Sequence, residues 1–223
     1  MTPKNRFPNL ANDLVRIHKA ISRGITVAVT NGTQFNKDGF PDAGIREGFA
    51  RYVQSLTIVL TAHHMSEDEI AFPAIKLQLP TAPYERLTAT HQNIATCLEM
   101  IREGLGGMSQ ESAEAGLGVV IKNLKKIASL WSPHIRMEEE YFGETAIGAV
   151  MTPEEQAQVS ISMARHSQEH AVPPYLALPF VLYNLPVNDR ASMAETLPKV
   201  VMEELIPKEW KDHWAPMKPF LLD

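Results

Sequence analysis

Apolar positions along the first 150 residues recur in alternating steps of three and four, the spacing that lines one face of an α-helix. The pattern predicts four long helices, over approximately 9–31, 42–77, 82–105 and 109–142. The turn-rich stretches NGTQFNKDGFPDAG, LPTAP and GLGGMSQ separate them. No run alternates apolar and polar residues for long enough between turn signals to argue for a strand. Short connections between successive long helices favour antiparallel neighbours, so the expected architecture is all-α, an up-down-up-down four-helix bundle over residues 1–150. Beyond about residue 150, TPEEQAQ opens another helix and prolines follow at 173, 174, 179, 186, 198, 207, 216 and 219. Residues 151–223 are therefore expected to form a helical, proline-rich extension that packs on the bundle or makes an interface.

Read residue by residue, the apolar seams are interrupted in a regular way. The second helix reads Leu56, Leu60, His63, Glu67, Ile70, Ala74, Leu77, and the fourth reads Leu117, Val120, Leu124, Ile127, Trp131, His134, Glu138, Tyr141. In each, a histidine and a glutamate four residues on replace the expected apolar pair. The first seam runs Leu14, His18, Ile21, Ile25, and the third Tyr84, Leu87, His91, Ile94, Leu98, Ile101. The competing frame in the second helix, Thr57, Thr61, His64, Asp68, Ala71, is polar nearly throughout, which predicts that His64 and Asp68 lie beside the seam or on the surface.

A lone seam histidine is ordinarily a hydrogen-bonded core residue, and a single H-x-x-x-E arises easily by chance. Four histidines and two glutamates inside one bundle are another matter, because each buried carboxylate costs several kcal/mol unless something compensates it. A pair of metal ions does so: carboxylates can bridge two cations and neutral imidazoles can each give one nitrogen.

Composition narrows which metal chemistry is open. Cys97 is the only cysteine of the 223 residues, so a disulfide framework or a thiolate site within one chain is excluded, and any ion must be held by histidine and carboxylate. A formal charge of −5 argues against a nucleic-acid or anionic-membrane partner. MTPKNRFPNL lacks the apolar run of a signal peptide, and no window reaches the length of a membrane span, so a cytoplasmic location is expected.

The ordered residues His18, then His63 and Glu67 in HHMSE, then His91, then His134 and Glu138 in HIRME, resemble the hemerythrin-like or HHE cation-binding domains, with their pattern H…H-x-x-x-E…H…H-x-x-x-E. Phe72-Pro73 after the second-helix pair is also similar to many members. The resemblance spans approximately residues 9–145 and implies a non-heme diiron site. Glu67 and Glu138 would be bridging ligands, His18, His63, His91 and His134 terminal ligands, and an oxo or hydroxo group would be shared between the ions.

One departure stands out. Oxygen-carrying hemerythrins have a fifth histidine from an H-x-x-x-H pair on the third helix, where this chain has Ala95. Four histidines would leave an open position on both ions, which points to reduction or activation of O2, peroxide or nitric oxide, with an electron-donor protein as partner. The alternative is a non-catalytic O2, nitric oxide or iron sensor or store.

The remaining features read more plainly. Pro133 marks a kink or a break in the fourth helix. Trp131, Tyr141 and Cys97 read as core, and Glu139 and Glu140 as solvated. His166 and His170 are expected at the rim of a polar helix. The apolar stretch PPYLALPFVLYNLP must be buried, as a cap over the metal site or as an oligomer interface.

Overall fold

The computed structural model describes residues 8–108 and 113–223, and among these it contains helices and connections without strands. Helix α1 spans Leu10–Asp38, α2 Ala43–Ser66, α3 Phe72–Lys76, α4 Tyr84–Met108 and α5 Ala113–Phe142. A wider π turn, Glu67–Ala71, joins α2 to α3, so the second long helix continues without a break to Lys76. Contacts of α1 with α2, α2 with α4, α4 with α5 and α5 with α1 close the four long helices into a ring. Residues 1–7 and the expected start of the fourth helix at Ser109 lie outside the described residues.

The first helix runs past its expected end at Asn31. Asn31-Gly32 reads as a turn signal, yet Gly32 lies inside the helix at a close approach, where an added Cβ would stand 3.0 Å from the Phe49 ring and 3.1 Å from Ile121. The helix stops at Gly39, whose φ of 80° is open to glycine at little cost. Side chains of Asn9 and Asp42 cap the starts of α1 and α2 by accepting from Asn12 and Ile45 backbone N–H groups. At Pro133 the fourth helix is neither broken nor ended; α5 continues through it to Phe142.

Beyond the bundle, α6 spans Glu144–Val150, α7 Pro153–His170, α8 Pro174–Asn184, α9 Val187–Ala194 and α10 Lys211–Trp214. A π segment at Val201–Glu209 and a 3-10 turn at Ala215–Phe220 complete the chain. The apolar stretch expected to be buried is α8, and it docks on α1 and α2 rather than over the His/Glu residues. Its anchor is Phe180, wholly buried against Gly24, where a Cβ would approach the ring to 2.6 Å. Tyr52 donates to Asn184 at the end of α8 over 2.7 Å, and Arg23 donates to the Phe220 carbonyl over 2.9 Å. None of the helices among the described residues is long and apolar enough to cross a membrane.

Candidate metal centre

The seam residues meet at one level of the bundle. His18 lies near the start of α1 and His91 near the start of α4, whereas His63 and His64 end α2 and His134 and Glu138 lie near the end of α5. Convergence from starts and ends alternately requires the chain to reverse direction at each connection, as short loops between long helices favour. Glu67 opens the π turn, where the backbone N–H of Phe72 reaches the Glu67 carbonyl across the widened loop, and Pro73 follows with no N–H to contribute.

Two overlapping groups of donors result. His18, His63, Glu67 and Glu138 bring one ligand atom each to within 4.8 Å of one another, and so do His64, Glu67, His91 and His134. Glu67 belongs to both. Glu138 also reaches across, with one carboxylate oxygen 3.2 Å from His18 Nε2 and the other 3.1 Å from His134 Nε2 and 3.5 Å from His91 Nε2. Glu67 places one oxygen 3.5 Å from His63 Nε2 and the other 3.5 Å from His91 Nε2. His91 and His134 turn their Nε2 atoms toward each other at 3.0 Å. Imidazole nitrogens bind first-row ions at about 2.1 Å, so two of them at right angles on one ion stand about 3 Å apart.

The fit to metal rests on what these atoms lack. His18 Nε2, His63 Nε2, His64 Nε2 and both oxygens of Glu67 and of Glu138 are buried without a hydrogen-bond partner. Leaving so many buried polar atoms unmet costs several kcal/mol, and cations placed among them would meet nearly all at once. Protonation follows the same logic. Burial, reinforced by repulsion from neighbouring histidines, holds His63 and His64 well below the ordinary imidazole range, so both are neutral and have a lone pair to give. Burial and the negative charges of Glu138 and Asp68 push Glu67 well above the carboxylate range. Burial acts in the same direction on Glu138, but the imidazoles of His134, His18 and His91 that face its oxygens outweigh it and hold that carboxyl low. The two carboxylates are thus driven apart, Glu67 toward its protonated form and Glu138 toward its ionised form.

A second ring of groups orients the first. His18 Nδ1 donates to Glu139 Oε1 over 2.9 Å, and Asp68 Oδ2 lies 3.0 Å from His91 Nδ1 while Asp68 Oδ1 accepts from the Thr88 hydroxyl over 2.7 Å. Each contact turns Nε2 of its histidine inward. For both histidines burial alone would lower the pKa, but the carboxylate partners outweigh it and raise it. Trp131 is buried with its ring 5.5 Å from His18 and 6.0 Å from His63, His64 and His134, and its indole N–H donates to Ser22 over 2.8 Å.

All six seam residues, His18, His63, Glu67, His91, His134 and Glu138, come together here, and Asp68 lies beside the seam as its frame suggested. Two readings are corrected. His64, expected beside the seam or at the surface, is 5% exposed, stacks on His91 at 3.9 Å and belongs to the second donor group. An α-helix sets residues 63 and 64 about 100° apart, but both fall within one turn of Glu67, at i,i+4 and i,i+3. A seam drawn one residue wide misses this, whereas two overlapping donor groups use both. Glu139, expected to be solvated, is half-buried and bonded to His18. Adjacency was the available signal in both cases: His64 and Glu139 each follow a seam donor directly.

His166 and His170 do not join either donor group. They stack on each other at 4.1 Å along α7, and His166 contacts Glu69 at 2.9 Å and Ser66 at 3.2 Å on the outer side of the second helix. Cys97 is buried in the apolar core, where burial pushes its thiol pKa up.

Compared with known proteins, residues 9–146 match the model of the hemerythrin HHE cation binding domain. No curated protein and no solved structure gives a significant match.

Proposed function

From the premise that the chain belongs to the hemerythrin HHE cation-binding domain family, we propose that it is a non-heme diiron protein that takes up one small oxidant, O2, peroxide or nitric oxide, at a centre of five histidines and two glutamates. The observation carrying this reading is the unequal split of imidazoles. His64, His91 and His134 serve one position with Glu67, and His18 and His63 serve the other with Glu67 and Glu138. His64 thus replaces, from the second helix, the histidine that Ala95 leaves out of the third. The His18/His63 group is then one imidazole short of the other, and an ion held there would be the one to take up the small molecule, in place of the two open positions expected from Ala95.

Imidazole and carboxylate donors suit iron. Two such ions, when bound, would supply the electrons that O2, peroxide or nitric oxide takes up. The chain's own residues do the rest. Glu67 and Glu138 span the two positions, and Asp68 and Glu139 fix the faces of His91 and His18. The apolar residues around Trp131 and Phe72 keep bulk water out. Reduction would need protons as well, and Glu139 is the group placed to carry one, since it is half-exposed on one side and bonded to His18 Nδ1 on the other. That favours turnover over pure sensing.

Elemental analysis together with optical spectra of the reduced protein mixed with O2, peroxide and nitric oxide tests the reading. It predicts two irons per chain and a spectral change saturating at one small molecule per pair. Iron content below one per chain, or spectra indifferent to all three, would sink it. Repeated consumption of peroxide with an added reductant separates an enzyme from a sensor or store.

A further inference from the structure

A cavity of about 410 Å³ opens between α1, α5 and the C-terminal segment, and the bonded His18–Glu139 pair is part of its lining. Its volume lies in the range of small-molecule sites. We propose that it binds a small organic monoanion bearing a hydroxyl group at the end remote from its charge. The site stands whatever the metal centre does.

The anion half of the argument is Arg23. Its Nη1 donates to the Asn184 side-chain oxygen, to the Phe220 carbonyl at 2.9 Å and to the Tyr52 hydroxyl at 3.5 Å, all of them neutral. No carboxylate among the described residues pairs with it, although its guanidinium is part-buried on the cavity wall. The other cation there, Lys19, is already neutralised by Asp189 at 2.9 Å. All three bonds leave from Nη1, so an uncompensated arginine held in place by neutral groups keeps Nε and Nη2, the other edge of its planar fork, for a carboxylate, the partner it binds best.

The hydroxyl half is Glu139. One of its oxygens accepts from His18, and the carboxylate is 39% exposed, so the other oxygen can accept from an incoming O–H. Between the two charged ends the wall is apolar, with Val15 on α1, Ile135 on α5 and Pro186 after α8. His18, which holds Glu139, and Arg23 are five residues apart on α1, about 7.5 Å along the helix axis, so the groups for the ligand's two ends lie at different heights along one wall. A single aromatic ring with para substituents spans a comparable length. The ligand class is therefore a hydroxyaryl carboxylate or a hydroxy acid of similar reach, with its carboxylate at Arg23 and its hydroxyl at Glu139.

The test is calorimetric titration of the full-length, iron-loaded protein with 4-hydroxybenzoate, its neutral analogue 4-hydroxybenzamide, and benzoate. The acid is expected to bind at least tenfold more tightly than the amide and severalfold more tightly than benzoate. Val15→Trp, which fills the cavity, should abolish binding with iron content unchanged. Arg23→Gln should erase the preference for acid over amide, and Arg23→Lys should keep part of it. Because Arg23 also ties the extension to α1, the comparison of ligands on the unaltered protein decides if Arg23→Gln fails to fold. Equal affinity for acid and amide, no binding at millimolar concentration, or acid binding that survives Val15→Trp through direct ligation of iron would each overturn the proposal.

Discussion

Two adjoining levels of the same bundle, about one to three helical turns apart, are built on opposite terms. At the first, Ile21, Leu60, Ile94, Leu98, Leu124 and Ile127 fill the space between α1, α2, α4 and α5 and are essentially inaccessible to water. At the second, the same four helices present His18, His63, His64, Glu67, His91, His134 and Glu138, equally buried but with most of their inward atoms unpartnered. The apolar level gains stability from area removed from water, about 25 cal/mol per Å². The donor level loses stability until cations meet its lone pairs. A smaller apolar cluster, with Phe72, Ile75, Tyr84, Leu87 and Phe142, closes the far side, so the donor level lies between two layers that hold it shut. The fold is thus carried by layers indifferent to metal, and the metal's contribution is confined to one level.

The sharpest break of that contrast would come from the apolar level. Leu98→Ala should cost about 2–5 kcal/mol, the usual range for emptying a buried leucine site. The loss should be the same in metal-free and iron-loaded protein, measured by urea denaturation of each. A loss that differs between the two forms would mean that the levels are coupled.

At the donor level the expected effects fall on metal rather than on the metal-free fold. Glu67→Gln removes the carboxylate shared by both donor groups, so iron content should fall from two per chain to below one. Metal-free stability should move by less than about 1 kcal/mol, because burial drives Glu67 toward its neutral form there and glutamine is the neutral isostere. His64→Ala should have a narrower effect, lowering iron content toward one per chain, since only the group with His91 and His134 loses a donor. Retention of two irons by the His64 variant would return the site to four histidines and restore two vacancies.

These two variants also show how much of the molecule was legible in its sequence. Four seams with histidine and glutamate at fixed steps carried the bundle and six donors, because burial on a helix face imposes a period that survives in one dimension. His64 was not legible, because periodicity assigns one residue per turn to the seam and a site wide enough for two ions admits its neighbour. Gly32 was misread as a turn for a related reason: a glycine needed for close approach to Phe49 and a glycine needed for a loop are the same letter. The docking of Phe180 onto Gly24 depends on residues more than 150 positions apart, and no local pattern encodes such a meeting.

Acidity gives a smaller and graded test. The folded pKa values of Glu67, His18 and His91 are raised, so in the metal-free protein these groups give up their protons at higher pH than usual and a cation must compete with them. His63 and His64 are lowered and already neutral, so they add no competing proton. Metal binding therefore releases protons, and the rise in Tm on loading should grow from pH 5.5 to pH 7.5 as their release becomes easier. A rise independent of pH would show that the donors are free of protons before the metal arrives.

The smallest effect is expected where the extension touches the donor level from outside. His166 on α7 contacts Glu69 and Ser66, and Ser66 in turn contacts Ser167 over 2.7 Å, all on the outer side of the turn that presents Glu67. Glu69 is more than half exposed, so its pairing with His166 is screened by solvent and worth less than about 1 kcal/mol. His166→Ala should accordingly leave iron content at two per chain and shift Tm only slightly, in the metal-free and loaded forms alike. If instead this variant lost iron while keeping its metal-free Tm, the π turn would depend on α7 for the position of Glu67. The donor level would then extend into the C-terminal segment rather than end at the four helices.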